Sequence, residues 1–115
     1  MDYNFDGDFP PSKSFTLGVP LMDAAKYQNL QFSVRAKDGG NPGTVKVVIK
    51  SRKNEVSAYY IQGIDGDWQD YSIPFKQFKQ ISGWTDLKDI SFVLESWNME
   101  SKKGVLLIED ICFSG

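Results

Sequence analysis

Alternation of apolar and polar residues constrains the fold of this chain more than any other feature of its sequence. In residues 30–36 every second side chain is apolar, and residues 44–50 repeat the pattern. A period of two is typical of a β-strand with one buried and one solvated face. Further strands are predicted at residues 57–62, 71–75, 89–95 and 104–113, with shorter ones at 2–8 and 14–19.

The spacing of these segments predicts an all-β fold. Turn-forming residues separate the strands at short, fairly even intervals, which is typical of a sandwich or barrel and not of βαβ units. Helical patterns are confined to residues 21–27 and 75–80, too short for independent helices. Segment 104–113 is apolar on both faces in its first half, which predicts a central strand. With 115 residues, the chain is expected to form a single domain over residues 1–115.

Composition excludes several classes of function. The net charge is −2, so a basic field for nucleic acid is absent, and no apolar run is long enough to span a membrane. The chain has no histidine, which excludes histidine-based triads and metal sites. Its single cysteine, Cys112, cannot form an internal disulfide. No carboxylate pair stands in a recognisable catalytic motif, and we therefore expect a protein that is not an enzyme.

The order of four motifs resembles a known superfamily. They are the Leu-x-Phe-x-Val strand at 30–34, the segment WQDYSIPF at 68–75 followed by Phe78, the pattern Leu-x-x-Ile-x-Phe-x-Leu at 87–94, and IEDICF at 108–113. Together they resemble the galactose-binding-like jelly-roll superfamily, in particular the carbohydrate-binding modules of bacterial polysaccharide-degrading enzymes. A related branch is the family of assembly factors associated with intermediates of respiratory complex I. The present chain is shorter than such modules, whose N-terminal half is usually longer.

The resemblance implies a jelly-roll β-sandwich of two antiparallel sheets. It also implies a secreted bacterial, monomeric, non-catalytic module that binds a polysaccharide or oligosaccharide and targets an attached catalytic domain to glycan. The alternative function is a protein-interaction or assembly-factor domain without sugar binding. That alternative predicts an apolar surface patch around Val48 and Val93.

The candidate sugar-binding residues follow from strand parity. Sugars are recognised by exposed aromatic rings beside planar polar groups, which pair with hydroxyls. If Ile90, Phe92 and Leu94 face the core, their alternating neighbours face outward. The predicted binding residues are Trp97, Tyr60, Glu95, Gln62 and Arg52. Two alternatives stay open: Trp97 folding back over the sandwich edge, and a register shift that exchanges Tyr60 with Tyr59.

The remaining aromatic residues and the cysteine are expected to be structural. Trp68 is predicted to plug one end of the sandwich, and Trp84 to anchor a loop. Cys112 is predicted to be a small buried side chain.

Acidic residues near the N-terminus suggest a calcium site. Carboxylates supply the oxygen ligands that calcium prefers, although aspartate also favours turns. Related modules often hold one structural calcium between the first and last strands. By that resemblance the predicted ligands of a possible Ca²⁺ are Asp6, Asp8 and Asp110.

Overall fold

The computed structural model describes residues 2–4, 12–37, 42–98 and 103–115. Within these ranges the chain forms eight strands and three short 3₁₀ turns. The strands are β1 (Asp2–Asn4), β2 (Ser12–Gly18), β3 (Asn29–Lys37), β4 (Gly43–Ser51), β5 (Val56–Ile64), β6 (Gln69–Pro74), β7 (Leu87–Glu95) and β8 (Lys103–Ser114). The 3₁₀ turns are Ala24–Lys26, Phe75–Gln77 and Ser96–Asn98.

The strands pair into two antiparallel sheets, with orders β1-β8-β3-β6 and β2-β7-β4-β5. Strand β8 lies between β1 and β3, as its apolar first half predicts. Each predicted strand from residue 30 onward is confirmed with shifts of a few residues at its ends. The predicted strand at residues 2–8 is described only from Asp2 to Asn4, and its remaining residues lie outside the described ranges. No helix among the described residues is long and apolar enough to cross a membrane.

Parity along the strands builds the core. The apolar residues predicted to face inward on β4 and β7 are buried, and the residues between them are mostly partly exposed. The same alternation holds along β3. Because one face of each strand is apolar, the two sheets pack through these faces and leave their polar faces to solvent.

Aromatic packing joins the centres of the two sheets. The ring of Phe32 on β3 meets the ring of Phe92 on β7 edge-on, with centroids 5.0 Å apart, and it also stacks on Tyr71 at 5.6 Å. Both phenylalanines are almost fully buried. Edge-to-face aromatic pairs stabilise a core by about 0.5–1.5 kcal/mol beyond the burial of their area.

A hydrogen-bonded turn closes the β4–β5 hairpin and ties it to the loop before β7. Asn54 has a φ of 65°, a left-handed conformation that asparagine tolerates. The Glu55 carboxylate accepts hydrogen bonds from the Ser51 hydroxyl at 3.2 Å and from the Ser82 backbone N–H at 3.3 Å. Hydrogen bonds from the hydroxyl and backbone of Ser82 lower the pKa of Glu55 below its ordinary value of 4.5.

Replacing Phe92 with alanine should destabilise the domain by about 3–5 kcal/mol, because the substitution opens a cavity between the sheets. The matched control is Phe15→Ala: Phe15 lies beside Phe92 in register on β2, but it is 42% exposed. We expect the control to cost roughly 1 kcal/mol or less. If urea unfolding shows that both substitutions lower the free energy of unfolding by the same amount, this assignment of the core is wrong.

The Glu55 contacts predict an acid-sensitive part of the stability. A lowered carboxylate pKa stabilises the folded state above the unfolded-state pKa, and this contribution is lost as the pH falls through the folded-state pKa. Thermal unfolding of the native chain and of Glu55→Gln should therefore differ at neutral pH and converge as the pH falls through the lowered pKa of Glu55. A difference that is unchanged across this pH range would contradict the prediction.

Candidate functional site

The outward side chains of the β2-β7-β4-β5 sheet form a shallow surface, which we call the Tyr60 face. It consists of Ser14, Thr16, Lys46, Val48, Tyr60, Gln62, Ser91 and Val93. Antiparallel pairing sets Lys46 directly beside Tyr60 on one neighbouring strand and beside Val93 on the other. The centre of the face carries small side chains, including Thr16 and Ser91, whose hydroxyls are hydrogen-bonded at 2.8 Å. The described side chains at this centre are therefore small enough for an extended molecule to lie across the strands.

Lys46 connects the polar and aromatic parts of this face. Its ammonium nitrogen lies 3.8 Å from Oε2 of Glu95 and 5.8 Å from the centre of the Tyr60 ring. Glu95 is only 9% exposed, so its carboxylate is held in place and paired. The ammonium group, with 30% of the Lys46 side chain exposed, presents the hydrogen-bond donors of this pair to solvent.

Two aromatic rings are accessible at this end of the sheet. Tyr60 is 43% exposed and Trp97 is 64% exposed. Both open alternatives are thereby resolved: Tyr60 faces outward while Tyr59 packs against the core, and Trp97 does not fold back over the sandwich. Strand β7 ends at Glu95, as predicted, and Trp97 projects from the 3₁₀ turn Ser96–Asn98 that follows it.

The structure places Gln62 with this group but Arg52 far from it. Gln62 is exposed two residues beyond Tyr60 on β5, and its side-chain amide makes no hydrogen bond to the described residues. Arg52 follows the opposite end of β4, six residues from Lys46, or about 20 Å along an extended strand. Its guanidinium donates to the Val19 carbonyl at 3.2 Å, so it braces a loop there. The structure therefore brings together four of the five predicted residues.

Lys46 is the member of this group that was not among the predicted binding residues. Strand alternation places it outward, on the same face as Tyr60 and Gln62. The hairpin pairs Lys50 with Val56 and is therefore centred on Lys53, so that Lys46 lies opposite Tyr60. A turn centred one residue later would set Lys46 opposite Gln62, so alternation indicates the face of Lys46 but not its partner.

The prediction that Trp68 fills one end of the sandwich is wrong. Trp68 is 43% exposed on the other sheet, and the Arg35 guanidinium lies 5.8 Å from the centre of its ring. Trp68 immediately precedes β6 at an end of the sandwich, where the neighbouring strand covers its ring only in part. A nearby Ser33–Asp70 hydrogen bond belongs to the same outward surface.

Of the other two predictions of a structural role, one is confirmed and one is wrong. Trp84 is half-buried and stacks on Phe75 at 3.8 Å, as expected of a loop anchor. Cys112 is exposed, contrary to the predicted burial. A bulge at Asp110, where φ is 57°, shifts the register of β8 against β3 and turns the Cys112 side chain outward beside Gln31.

The Tyr60 face continues into a side pocket of about 260 Å³ between β5 and β6. Tyr71 lines it, and its hydroxyl donates to the backbone carbonyl of Gln62 at 3.1 Å. Burial raises the pKa of the Tyr71 hydroxyl, and the negative charge of Asp65 raises it further. Tyr71 therefore remains a neutral hydrogen-bond donor that fixes the strand carrying Gln62.

The predicted calcium ligands are described only in part. Asp110 is exposed at the β8 bulge, while Asp6 and Asp8 lie outside the described residues. The described residues contain no group of three or more potential metal-ligating side chains. A calcium site therefore stays a prediction from the resemblance.

Calcium binding would raise the melting temperature by mass action, since the ion would bind only the folded chain. The prediction requires a melting temperature that falls on adding a chelator and recovers with excess calcium. Asp110→Asn should abolish this response. If neither chelator nor calcium changes the melting temperature, the prediction of a calcium site is wrong.

The geometry and the comparisons together define the class of protein. An all-β sandwich with accessible rings beside paired polar groups has the architecture of a carbohydrate-binding module, a non-catalytic domain that binds polysaccharide. The family model described as "Carbohydrate binding domain 30" matches residues 16–115, so the chain belongs to that family. No curated protein sequence matches the chain at a significant level.

Solved structures share the fold at low sequence identity. A family 11 carbohydrate-binding module from Clostridium thermocellum, in complex with a β-1,3-1,4-mixed-linked tetrasaccharide, is 18% identical with a TM-score of 0.70; the match covers 98% of this chain and 71% of that one. A family 30 module is 15% identical with a TM-score of 0.63, over 90% and 60% of the two chains. A family 28 module specific for non-crystalline cellulose is 10% identical with a TM-score of 0.65, over 100% and 73%. These matches confirm the jelly-roll fold.

Proposed function

We propose that the Tyr60 face, together with Trp97 and Glu95, binds a single extended chain of a β-linked glucan. The observation that carries this proposal is the exposed Tyr60 ring beside the Lys46–Glu95 pair. Two of the similar structures support the choice of ligand, one through its bound mixed-linked tetrasaccharide and the other through its specificity for non-crystalline cellulose.

Each group has a distinct part in binding. The rings of Tyr60 and Trp97 stack on the apolar C–H faces of sugar units. Tyr60 lies on β5, and Trp97 lies in the 3₁₀ turn after β7, which is separated from β5 by β4 alone. Lys46 and Gln62 offer donors to sugar hydroxyls, and the Gln62 amide oxygen also accepts. Glu95 holds the Lys46 ammonium in place, because its carboxylate is almost fully buried.

Such binding serves to keep an attached catalytic domain close to its substrate. An open face buries little of a ligand, so each contact is weak and the affinity modest. Tethering converts this weak binding into a raised local concentration of enzyme beside the polysaccharide. This role belongs to a secreted protein, since polymeric glucans lie outside the cell.

Trp97→Ala and Tyr60→Ala should each weaken binding to soluble mixed-linkage β-glucan by roughly tenfold, because each loses a stacking surface worth about 1–1.5 kcal/mol. Affinity electrophoresis in gels that contain the glucan measures this as lost retardation.

Trp68→Ala is the matched control, since Trp68 is as exposed as Tyr60 but belongs to the other sheet. It should leave retardation unchanged. Lost retardation in Trp68→Ala with normal retardation in Trp97→Ala and Tyr60→Ala would move the site to the opposite sheet. No retardation of the native chain with any of a broad panel of glycans would favour the protein-interaction alternative.

A further inference from the structure

A second cavity lies at the end of the sandwich opposite Trp97. It has a volume of about 480 Å³, within the range of small-molecule sites of about 300–1,000 Å³. We call it the end pocket and define it by Tyr27, Gln28, Asn29, Phe75, Lys76 and Trp84. Its residues come from the start of β3 and the loop before it, the end of β6 and the loop before β7, and none is a member of the Tyr60 face. Pro74, at the end of β6, lines both this pocket and the side pocket of that face.

Stacked aromatic rings form a fixed wall of this pocket. The rings of Phe75 and Trp84 are parallel within 1° and their centroids lie 3.8 Å apart. Phe75 also packs edge-on against Phe113 at 5.5 Å, which anchors the pair to the core. Tyr27 contacts the same Phe113 ring at 6.2 Å. The Phe75 stack covers one face of the Trp84 ring, and Nζ of Lys26 lies 5.5 Å from the centre of the Tyr27 ring. Both rings are half-buried, and their packing fixes the parts of them that line the pocket.

Backbone hydrogen bonds hold together the segments around the pocket. The Phe75 N–H donates to the Gln28 carbonyl at 2.8 Å, and the Gln28 N–H donates to the Ser114 carbonyl at 2.8 Å. The Ala24 N–H donates to the Trp84 carbonyl at 2.9 Å. The pocket is thus a built feature of the fold and not a gap between loose loops.

Free polar groups surround the rings. The side chains of Gln28, Asn29 and Lys76 make no hydrogen bond or ion pair with any described residue. Beside Asn29 in register, the Ser114 hydroxyl oxygen is buried and lacks a partner within the described part of the chain. The side chains that line the pocket include amides and one ammonium but no carboxylate.

We infer that the end pocket binds the terminal sugar unit of a gluco-oligosaccharide. Amides and an ammonium pair with ring hydroxyls as both donors and acceptors, and the aromatic surfaces receive the C–H face of the pyranose. The end pocket is confined to one end of the sandwich, where it can receive a chain end, whereas the Tyr60 face extends across four strands and accommodates the middle of a chain. The choice of glucose units rests on the proposed function, while the pocket's geometry is independent of it.

The three tryptophans of the chain provide a direct test. Trp97 reports on the Tyr60 face, Trp84 on the end pocket and Trp68 on the remaining outer surface. Their indole N–H signals in a ¹H–¹⁵N spectrum are assigned with Trp68→Phe and Trp97→Phe. Titration with cellobiose should shift the Trp84 signal and leave Trp68 unmoved, and soluble mixed-linkage glucan should shift Trp97.

Variants separate specific binding from a general solvent effect. The double substitution Gln28→Ala and Lys76→Ala should raise the cellobiose dissociation constant measured at Trp84 by about tenfold through two lost hydrogen bonds. Both side chains are exposed, so folding should be retained. Lys79→Ala is the control: this exposed lysine is near in sequence but does not line the pocket.

Two results would overturn the inference: a Trp84 signal that cellobiose does not shift, or a shift of equal affinity in the native chain and the double variant. If cellobiose shifts the Trp84 signal but the mixed-linkage glucan does not shift the Trp97 signal, the result would contradict the proposed function and still support the inference about the end pocket.

Discussion

The contact between Phe32 and Phe92 joins the two sheets at their centre, and the outward surface of each sheet depends on it. Both rings are almost fully buried and meet edge-on at 5.0 Å. Because side chains alternate along a strand, fixing Phe92 inward fixes Ser91 and Val93 outward. Residues that pair across neighbouring strands point to the same side of a sheet. Lys46 therefore points outward because it pairs with Val93, and Tyr60 points outward because it pairs with Lys46. The binding surface is therefore a consequence of how the core is packed.

The alternation of side chains along each strand made many of the inward and outward positions predictable from the sequence. The outward positions of Tyr60 and Gln62, and the inward positions of Ile90, Phe92 and Leu94, follow directly from alternation. What parity could not supply was the position of residues beyond strand ends. Trp97 and Arg52 both follow strands, and the chain turns immediately after each strand, so the first lies in a 3₁₀ turn and the second braces a loop.

Two further differences have local physical causes. The bulge at Asp110 adds a residue to β8 and reverses the expected side of Cys112, which no alternation pattern could reveal. Trp68 is exposed although large aromatic residues are usually buried, because it stands just before an edge strand, where Arg35 covers its ring only in part. Such exceptions arise where the regular pairing of strands is interrupted or ends.

The charge arrangement on the Tyr60 face suits an uncharged ligand. Lys46 and Glu95 compensate each other, so an incoming sugar meets hydrogen-bonding groups without a strong net field.

The central claim is that the ligand lies on the outer surface of the β2-β7-β4-β5 sheet. Backbone amide shift mapping with the mixed-linked β-1,3-1,4 tetrasaccharide tests it most directly. The account predicts shifts concentrated in β4, β5 and the end of β7, at Lys46, Tyr60, Gln62 and Glu95. Shifts concentrated in β3, β6 and β8, with these four residues unaffected, would contradict it.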